Sequence, residues 1–577
     1  MEIRLRNENP NFDKSLVELI CENRGVDFSK IEEFCDPTFM NVQNPFDYLN
    51  MEKAIDRYLK AIENKENIGI LIDSDVDGYC SASTLVQTTL YFFKHNNINV
   101  FMHDTKSHGL TKEIMSKILN SKIDLLVIAD ASSNDYKQHK ILRDNNIDIV
   151  ILDHHEAEKY SENAIVVNNQ LQEGVNKNLC GMGIVQKFLE AIEIKYKHTL
   201  SEYFLDLTAI SLVSDCMNMN NLENRYYVNK GLRNLNNKLL LELFSDNITR
   251  DYQAISFDIA PTINAFIRVA SKEERMDLFF ALCGVSDIRD ITIKGLGEMK
   301  VNLQEYIKRM ANRIKSRQNK MIKEIMESDE TQIISEELPF SVIILPSSAN
   351  KNLTGLVASR FVEKLMKPAL VLKQYGSNYA GSARTTEGFK NFKDYIKEIG
   401  IANFAEGHQE AFGVAISWDN LLNLKLLNSM KHKDRLDEYI LVDKIYDNNL
   451  FPFDVMSVGE LEHQWSRGFE EPLFLVKINR DNIEEIKVCG SKKNTVRFKF
   501  NKITFIKFEC DDNDIDELLS DKDLEIVCNF KINEWNERYY PQCEIKHFNV
   551  FNNDKFCAEG YFQNEFKNSA NPFKIEG

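Results

Sequence analysis

The chain lacks the long apolar run that a membrane span requires. No stretch of its 577 residues reaches eighteen consecutive apolar positions, which argues against a bilayer-embedded protein. Its opening, Met1-Glu-Ile-Arg-Leu-Arg-Asn-Glu-Asn-Pro10, lacks the apolar region of a secretory signal. The 11 cysteines are odd in number and scattered, and none forms a C-x-x-C pair. A disulfide framework and a zinc site are therefore disfavoured, and a reducing cytoplasm fits. Positive charge is also short, with a net charge of −17. That argues against a protein that coats nucleic acid nonspecifically, but leaves room for a local basic groove. No internal repeat is present. The 43% hydrophobic content is enough for packed cores, and the length predicts three or four domains.

The most informative stretch begins at Asn67. Ile68, Ile70, Leu71 and Ile72 make a short apolar run, read as a strand buried on both faces of a parallel sheet. Asp73, Asp75 and Asp77 follow at alternate positions, then Gly78 and a helical apolar pattern through Leu85, Val86, Leu90, Tyr91 and Phe92. Carboxylates thus stand at a strand's C-terminal end, where open α/β sheets place ligands. Charges this close repel unless a cation or several donors hold them. A calcium-binding EF-hand loop is excluded, because a strand precedes the acids and Thr84 occupies the twelfth position where glutamate is needed.

Strands and helical patterns alternate to about residue 169. Ile98–Met102, Ile123–Ala129, Ile147–Leu152 and Ala164–Val167 read as strands, which predicts a doubly wound parallel sheet. The strand at Ala129 ends in Asp130, and the strand at Leu152 ends in Asp153-His154-His155. A helix starts at Cys180-Gly-Met-Gly183. Another, Leu205–Val213, is very apolar yet has Asp215 at its end, costly unless that acid is paired or metal-bound. Residues 297–328 read as one long charged connector helix. A second α/β unit begins near Pro339, and in it Ser382 and Arg384 share one face of a strand, a pairing that suits phosphate. From about Arg435, short alternating strands suggest a small oligonucleotide-binding-type barrel. The expected fold class is α/β. Its division is a lead-in arm (1–62), a parallel-sheet domain (63–295), a connector helix (296–330), a second α/β domain (331–432), the barrel (433–550) and a tail (551–577).

Collected at one sheet edge, Asp75, Asp77, Asp130, Asp153, His154 and His155, with Asp215, outnumber the ligands one ion needs. Carboxylates with imidazoles suit Mn²⁺ or Mg²⁺ better than zinc. They fit a pair of ions about 3.5–4 Å apart, which steadies both the attacking and the leaving oxygen at phosphorus.

In this order, Asp73-Ser-Asp-Val-Asp-Gly78, Asp130, Asp153-His154-His155 and Asp215 resemble the four motifs of the DHH phosphoesterase superfamily. More narrowly, the chain resembles the RecJ single-strand-specific exonucleases. Asn23-Arg-Gly25 resembles their lead-in, and Asn264 with Arg268 resembles an N-A-x-G-R element. Leu353-Thr-Gly355, Gly381-Ser-Ala-Arg384 and Gly407-His408 with Gly413 resemble the DHH-associated domain. The match departs at Ala131-Ser132-Ser133, at Ile267, at Asn350, and at Phe404-Ala-Glu-Gly-His408. It departs also where the family often has a phosphate-binding arginine, for which this chain offers only His103 or Lys106.

The resemblance implies metal ligation by Asp75, Asp77, Asp130, His154 and Asp215. His155 would be a ligand or a contact to the scissile phosphate, and Asp73 and Asp153 would support the ligands from behind. Arg268, Ser382, Arg384 and His408 would line a channel that admits only an unpaired strand. The implied activity is 5′ to 3′ hydrolysis of single-stranded DNA to mononucleotides, in DNA repair or recombination. A helicase and a single-strand-binding protein are the candidate protein partners. Two other readings are a phosphodiesterase of cyclic dinucleotides or short oligonucleotides, and a non-catalytic RecJ-like scaffold.

Overall fold

The structure is a computed structural model that describes residues 2–7, 14–197, 199–244, 248–293, 297–334, 338–386, 389, 391–407, 409–421 and 439–551. The chain divides into two compact units. One comprises residues 1–29, 439–463 and 470–577; the other comprises residues 30–438 and 464–469.

Among its described residues the larger unit contains two multi-stranded sheets and a separate two-stranded hairpin. The first has five parallel strands, in the order Ile98–Met102, Ile68–Ile72, Leu125–Ala129, Asp148–Asp153, Ile165–Asn168. All five residues of Ile68–Ile72 are buried, as its unbroken apolar run predicts. Alternation sends Ile68, Ile70 and Ile72 into one core with the helices Met51–Glu63, Val76–Gln87, Gly181–Tyr196 and Leu205–Ser214. Leu71, Leu126, Ile128, Ile149 and Ile151 face the other core, where the helices Lys112–Leu119 and Tyr136–Asp144 contribute Ile114, Ile118 and Leu142. Each fully buried isoleucine or leucine contributes about 1.5–3 kcal/mol. Covered on both faces, the sheet leaves only its ends free for a ligand. From Ile68–Ile72 the chain goes first to one side and then returns to the other. The strand order therefore reverses between Ile68–Ile72 and Leu125–Ala129, and their C-terminal ends flank the crevice where such folds bind ligands.

The second sheet has six strands, in the order Phe404–Gly407, Ala411–Ser417, Asn378–Arg384, Ala369–Tyr375, Ser341–Ile344, Gln332–Ile334. The helix Thr354–Leu365 covers one face and Phe392–Glu398 the other. The connector differs from expectation. The helix runs only over Leu303–Glu327, and residues 297–302 instead form a strand, Gly297–Asn302, in an antiparallel hairpin with Ile288–Ile293. Asn302 caps the helix by accepting from the Glu305 amide. That cap, invisible to a reading based on charge alone, fixes the true start.

In the smaller unit, seven strands form one sheet, in the order Lys444–Asp447, Phe474–Ile478, Asp523–Trp535, Arg538–Phe551, Ile503–Lys507, Thr495–Phe500, Glu484–Cys489. Its core stacks Phe474 on Phe530 and Phe498 on Phe505. The lead-in arm opens with a strand. Glu2–Leu5 pairs in parallel with Tyr439–Val442, and Arg24 is buried in a two-pronged bond to Asp443. Among the described residues no helix is long and apolar enough to cross a membrane.

Candidate metal centre and phosphate cleft

Three strand ends and one helix end bring the predicted acids and histidines together. Asp75 is the N-cap of the helix Val76–Gln87 and accepts from the Gly78 amide at 2.9 Å. Asp77, in the first turn, reaches across to the N-terminus of Gly181–Tyr196. There it accepts from the amides of Gly181 at 2.6 Å and Met182 at 2.8 Å. Asp130 has a left-handed backbone, φ +64°, and lies directly against Gly181. A Cβ at 181 would stand 2.5 Å from Cβ of Asp130, so the glycine permits the approach. Asp215 ends the apolar helix Leu205–Ser214. His154 links them: its Nε2 is 3.1 Å from Asp130 Oδ1, 3.4 Å from Asp215 Oδ2 and 3.9 Å from Asp77 Oδ2.

Asp153 and Asp73 play different parts. Asp153 is fully buried and spends its oxygens on the amides of His154, His155 and Ser133 and on Nδ1 of His155. Burial opposes its charge, but His155 and these donors outweigh it and hold its carboxyl below the usual range. Burial likewise lowers His155, and Asp153 overcomes this and pushes the imidazole up to about 10. Asp73 accepts from the Gly109 amide at 3.0 Å and pairs with Nδ1 of His108.

Three sets of donor atoms can each hold an ion: Asp130, His154 and His155; Asp77, His154 and Asp215; and Asp73, Asp75 and His108. The electrostatics fit a bound cation. Burial, then the charge of Asp75, pushes Asp77 up to about 6. Burial, then Asp77 and Asp75, pushes Asp130 and Asp215 well above the usual range. The buried Oδ2 atoms of Asp130 and Asp215 accept no hydrogen bond. Like-charged, dry, oxygen-rich and short of donors, the cluster suits hard divalent ions.

Facing it is a basic cleft of about 280 Å³, lined in part by Lys106, His108, Arg268, Thr354, Ser382 and Arg384. Burial, then the charge of Arg268, lowers Lys106; burial, then Arg384, lowers Arg268 to about 10. Both interact favourably with Asp75, so the cations and the acids share one opening. Arg268 is fixed through its carbonyl, which accepts from Asn352 at 3.1 Å. Ser382 bonds Thr354 at 2.8 Å. Gly355 makes room for Arg384, since a Cβ there would meet Nη2 at 2.8 Å.

Of the two candidates for the missing arginine, Lys106 lines the cleft. His103 does not; it is buried, with its carbonyl bonded to Arg275. His408 lies outside the described residues. Sequence reasoning missed His108 and Thr354. His108 follows the strand Ile98–Met102 on the same sheet edge as the acids, a signal that could have found it.

The profile of the DHH family, N-terminal domain, matches residues 67–212, and that of the RecJ OB domain matches residues 458–547. Over 574 residues the chain is 32% identical to the "Putative SPbeta prophage-derived single-strand DNA-specific exonuclease YorK" of Bacillus subtilis (strain 168), covering 95% of this chain and 98% of that protein. The chain belongs to the RecJ family of DHH proteins. The single-stranded-DNA-specific exonuclease RecJ of the same organism is 23% identical over 555 residues, 92% of this chain and 67% of that one. The crystal structure of RecJ in complex with Mn²⁺ from Thermus thermophilus shares the fold with a TM-score of 0.71 at 18% identity, covering 92% of this chain and 76% of that one. The resemblance read from the motifs, and the fold class with its oligonucleotide-binding-type domain, are borne out.

Proposed function

We propose that this RecJ-family chain hydrolyses single-stranded DNA from the 5′ end and releases mononucleotides. Two divalent cations, Mn²⁺ or Mg²⁺, are held by Asp75, Asp77, Asp130, His154 and Asp215. The observation that carries the reading is the pairing of two opposite walls. A desolvated acid cluster opens onto a cleft lined by Lys106, Arg268 and Arg384. The names of its relatives support the substrate, since YorK and RecJ are both called single-strand DNA-specific exonucleases.

When bound, the cations lower the pKa of a water and offset charge on the attacking and leaving oxygens. The chain's own groups do the rest. Asp153 accepts from Nδ1 of His155 and favours the imidazolium, so the other ring nitrogen is a donor too and is available to the phosphate. Arg384 and Ser382 take the phosphate at the 5′ end, with Arg268 and Lys106 beside them. The fixed backbone of the cleft admits a single strand. The oligonucleotide-binding-type domain retains the trailing nucleotides by stacking and backbone contacts. The reaction belongs to DNA repair or recombination in the cytoplasm.

The test is a time course with Mn²⁺ on single-stranded DNA labelled at one end, beside a duplex control. Early release of labelled mononucleotide from the 5′ label alone, with the duplex spared, is expected. Release from the 3′ label first would reverse the polarity, and no cleavage would remove the exonuclease reading.

A further inference from the structure

One more arginine, Arg467, stands on a turn packed against the loop after Asp215, and it comes from far along the sequence. Residues 464–469 follow the helix Pro452–Gly459 but belong to the unit of the two α/β sheets. Ser466 and Phe469 exchange backbone hydrogen bonds of 3.0 Å, closing a turn with Arg467 and Gly468 at its tip. Gly468 has φ +90°, as the third residue of a type II turn requires. A Cβ there would stand 2.2 Å from Asn218 Oδ1, so only glycine lets the tip press onto the loop after Asp215. The Met219 amide donates to the Arg467 carbonyl at 2.8 Å.

A single buried guanidinium secures both pieces. Arg225 donates to Gln464 Oε1 at 2.8 Å and Ser466 Oγ at 3.2 Å in the turn, and to the Met219 carbonyl at 2.7 Å in the loop. Its plane lies 3.7 Å from the centre of the Phe34 ring. The turn is thus rigid, but the side chain at its tip is not tied down. Arg467 is 51% exposed, and Glu410 lies at 4.0 Å, itself 50% exposed. An ion pair so long and so wet contributes little. Glu410 immediately precedes Ala411, which pairs in register with Arg384. The tip therefore sits beside both walls, the loop that follows Asp215 and the strand end that carries Arg384.

We propose that Arg467 binds a backbone phosphate of the substrate strand, next to the one held by Arg384, and that the 464–469 turn is built to deliver it. The inference rests on the exonuclease reading. Arg467→Ala leaves the backbone contacts of the turn and the Arg225 clamp in place. It is expected to raise KM for single-stranded DNA about tenfold with kcat within twofold. The salt dependence of binding should become shallower by roughly 0.7 in log–log slope, the loss of one phosphate contact on a single strand. Mn²⁺ affinity by calorimetry should not change, and Arg467→Lys should recover part of the affinity. Gly468→Ala, which lifts the tip off Asn218, should raise KM in the same direction. An Arg467→Ala protein with native KM and native salt slope overturns the proposal. If the native chain cuts no DNA, the exonuclease reading has failed on its own. The affinity of both proteins for a twenty-residue oligothymidylate in EDTA then decides Arg467 separately, and equal affinity overturns it.

Discussion

The two walls of the cleft are built on opposite principles. The acid wall belongs to a five-stranded parallel sheet, and backbone amides and helix ends fix its groups: Asp75 on Gly78, Asp77 on Gly181 and Met182, Asp153 on three amides. Most of its acids are buried, and they repel one another. The basic wall is assembled from a loop, a helix end and a mixed-sheet strand, and its cations hang on long side chains. Among the described residues the Arg384 guanidinium bonds the neighbouring Ala383 carbonyl alone. On the proposed reading, the rigid, self-repelling acids hold a cation and set the rate, and the adaptable cations grip a moving, repeating phosphate and set the affinity.

That division fails or holds on substitution. The largest effect is expected from Asp130→Asn, chosen because asparagine tolerates the left-handed backbone at φ +64°. Several kcal/mol of transition-state stabilisation should go, a loss in kcat of roughly 10³-fold or more. Since the lost charge was opposed by burial and by its neighbours, the melting temperature in EDTA should stay level or rise, while the gain on adding Mn²⁺ should shrink. A nuclease assay beside thermal melts checks both, and a native rate would break the comparison at once. Next comes Arg384→Ala, expected to raise KM about 10–100-fold while Mn²⁺ binding is kept. Arg384→Lys should restore only part of the loss, because an ammonium cannot make the paired bonds of a guanidinium. Steady-state kinetics with calorimetry distinguish this from a loss of metal. The smallest effect is expected from Gly355→Ala. The added methyl would meet Nη2 of Arg384 at 2.8 Å, and a flexible tip can swing aside, so KM should rise only a few-fold. An effect as large as that of Arg384→Ala would show that the basic wall is as rigidly placed as the acid one.

The same contrast governs what the sequence discloses. The acid wall is local: an apolar strand announces its own end, and the ligand candidates follow within a few residues, as Asp75 and Asp77 do after Ile72 and Asp130 does after Ala129. Parallel pairing then brings those ends together without further information. The basic wall is non-local, because Lys106, Arg268, Thr354 and Arg384 lie on four separate segments. Short motifs flagged Arg268 and Arg384, but no pattern shows that the four segments meet, and only burial separates His103 from Lys106. The hairpin Ile288–Ile293 with Gly297–Asn302 escapes a sequence reading because its exposed strand mixes charge with apolar residues, as a solvated helix does. The strand Glu2–Leu5 escapes it because it borders a helical stretch and its partner is remote.

That remote partner has a consequence for synthesis. Asn23 and Arg24 meet Asp443 across 420 and 419 positions, alongside the Glu2–Tyr439 pairing. At roughly 5–20 residues per second, the ribosome needs on the order of 20–80 s to produce the strand that the first one awaits. Throughout that interval the nascent N-terminus carries an unpaired strand, while the metal-binding sheet already has its full complement of sequence. The first residues made are thus among the last to settle, and an exposed edge of this kind is a natural point for chaperone capture or for misassembly between neighbouring chains.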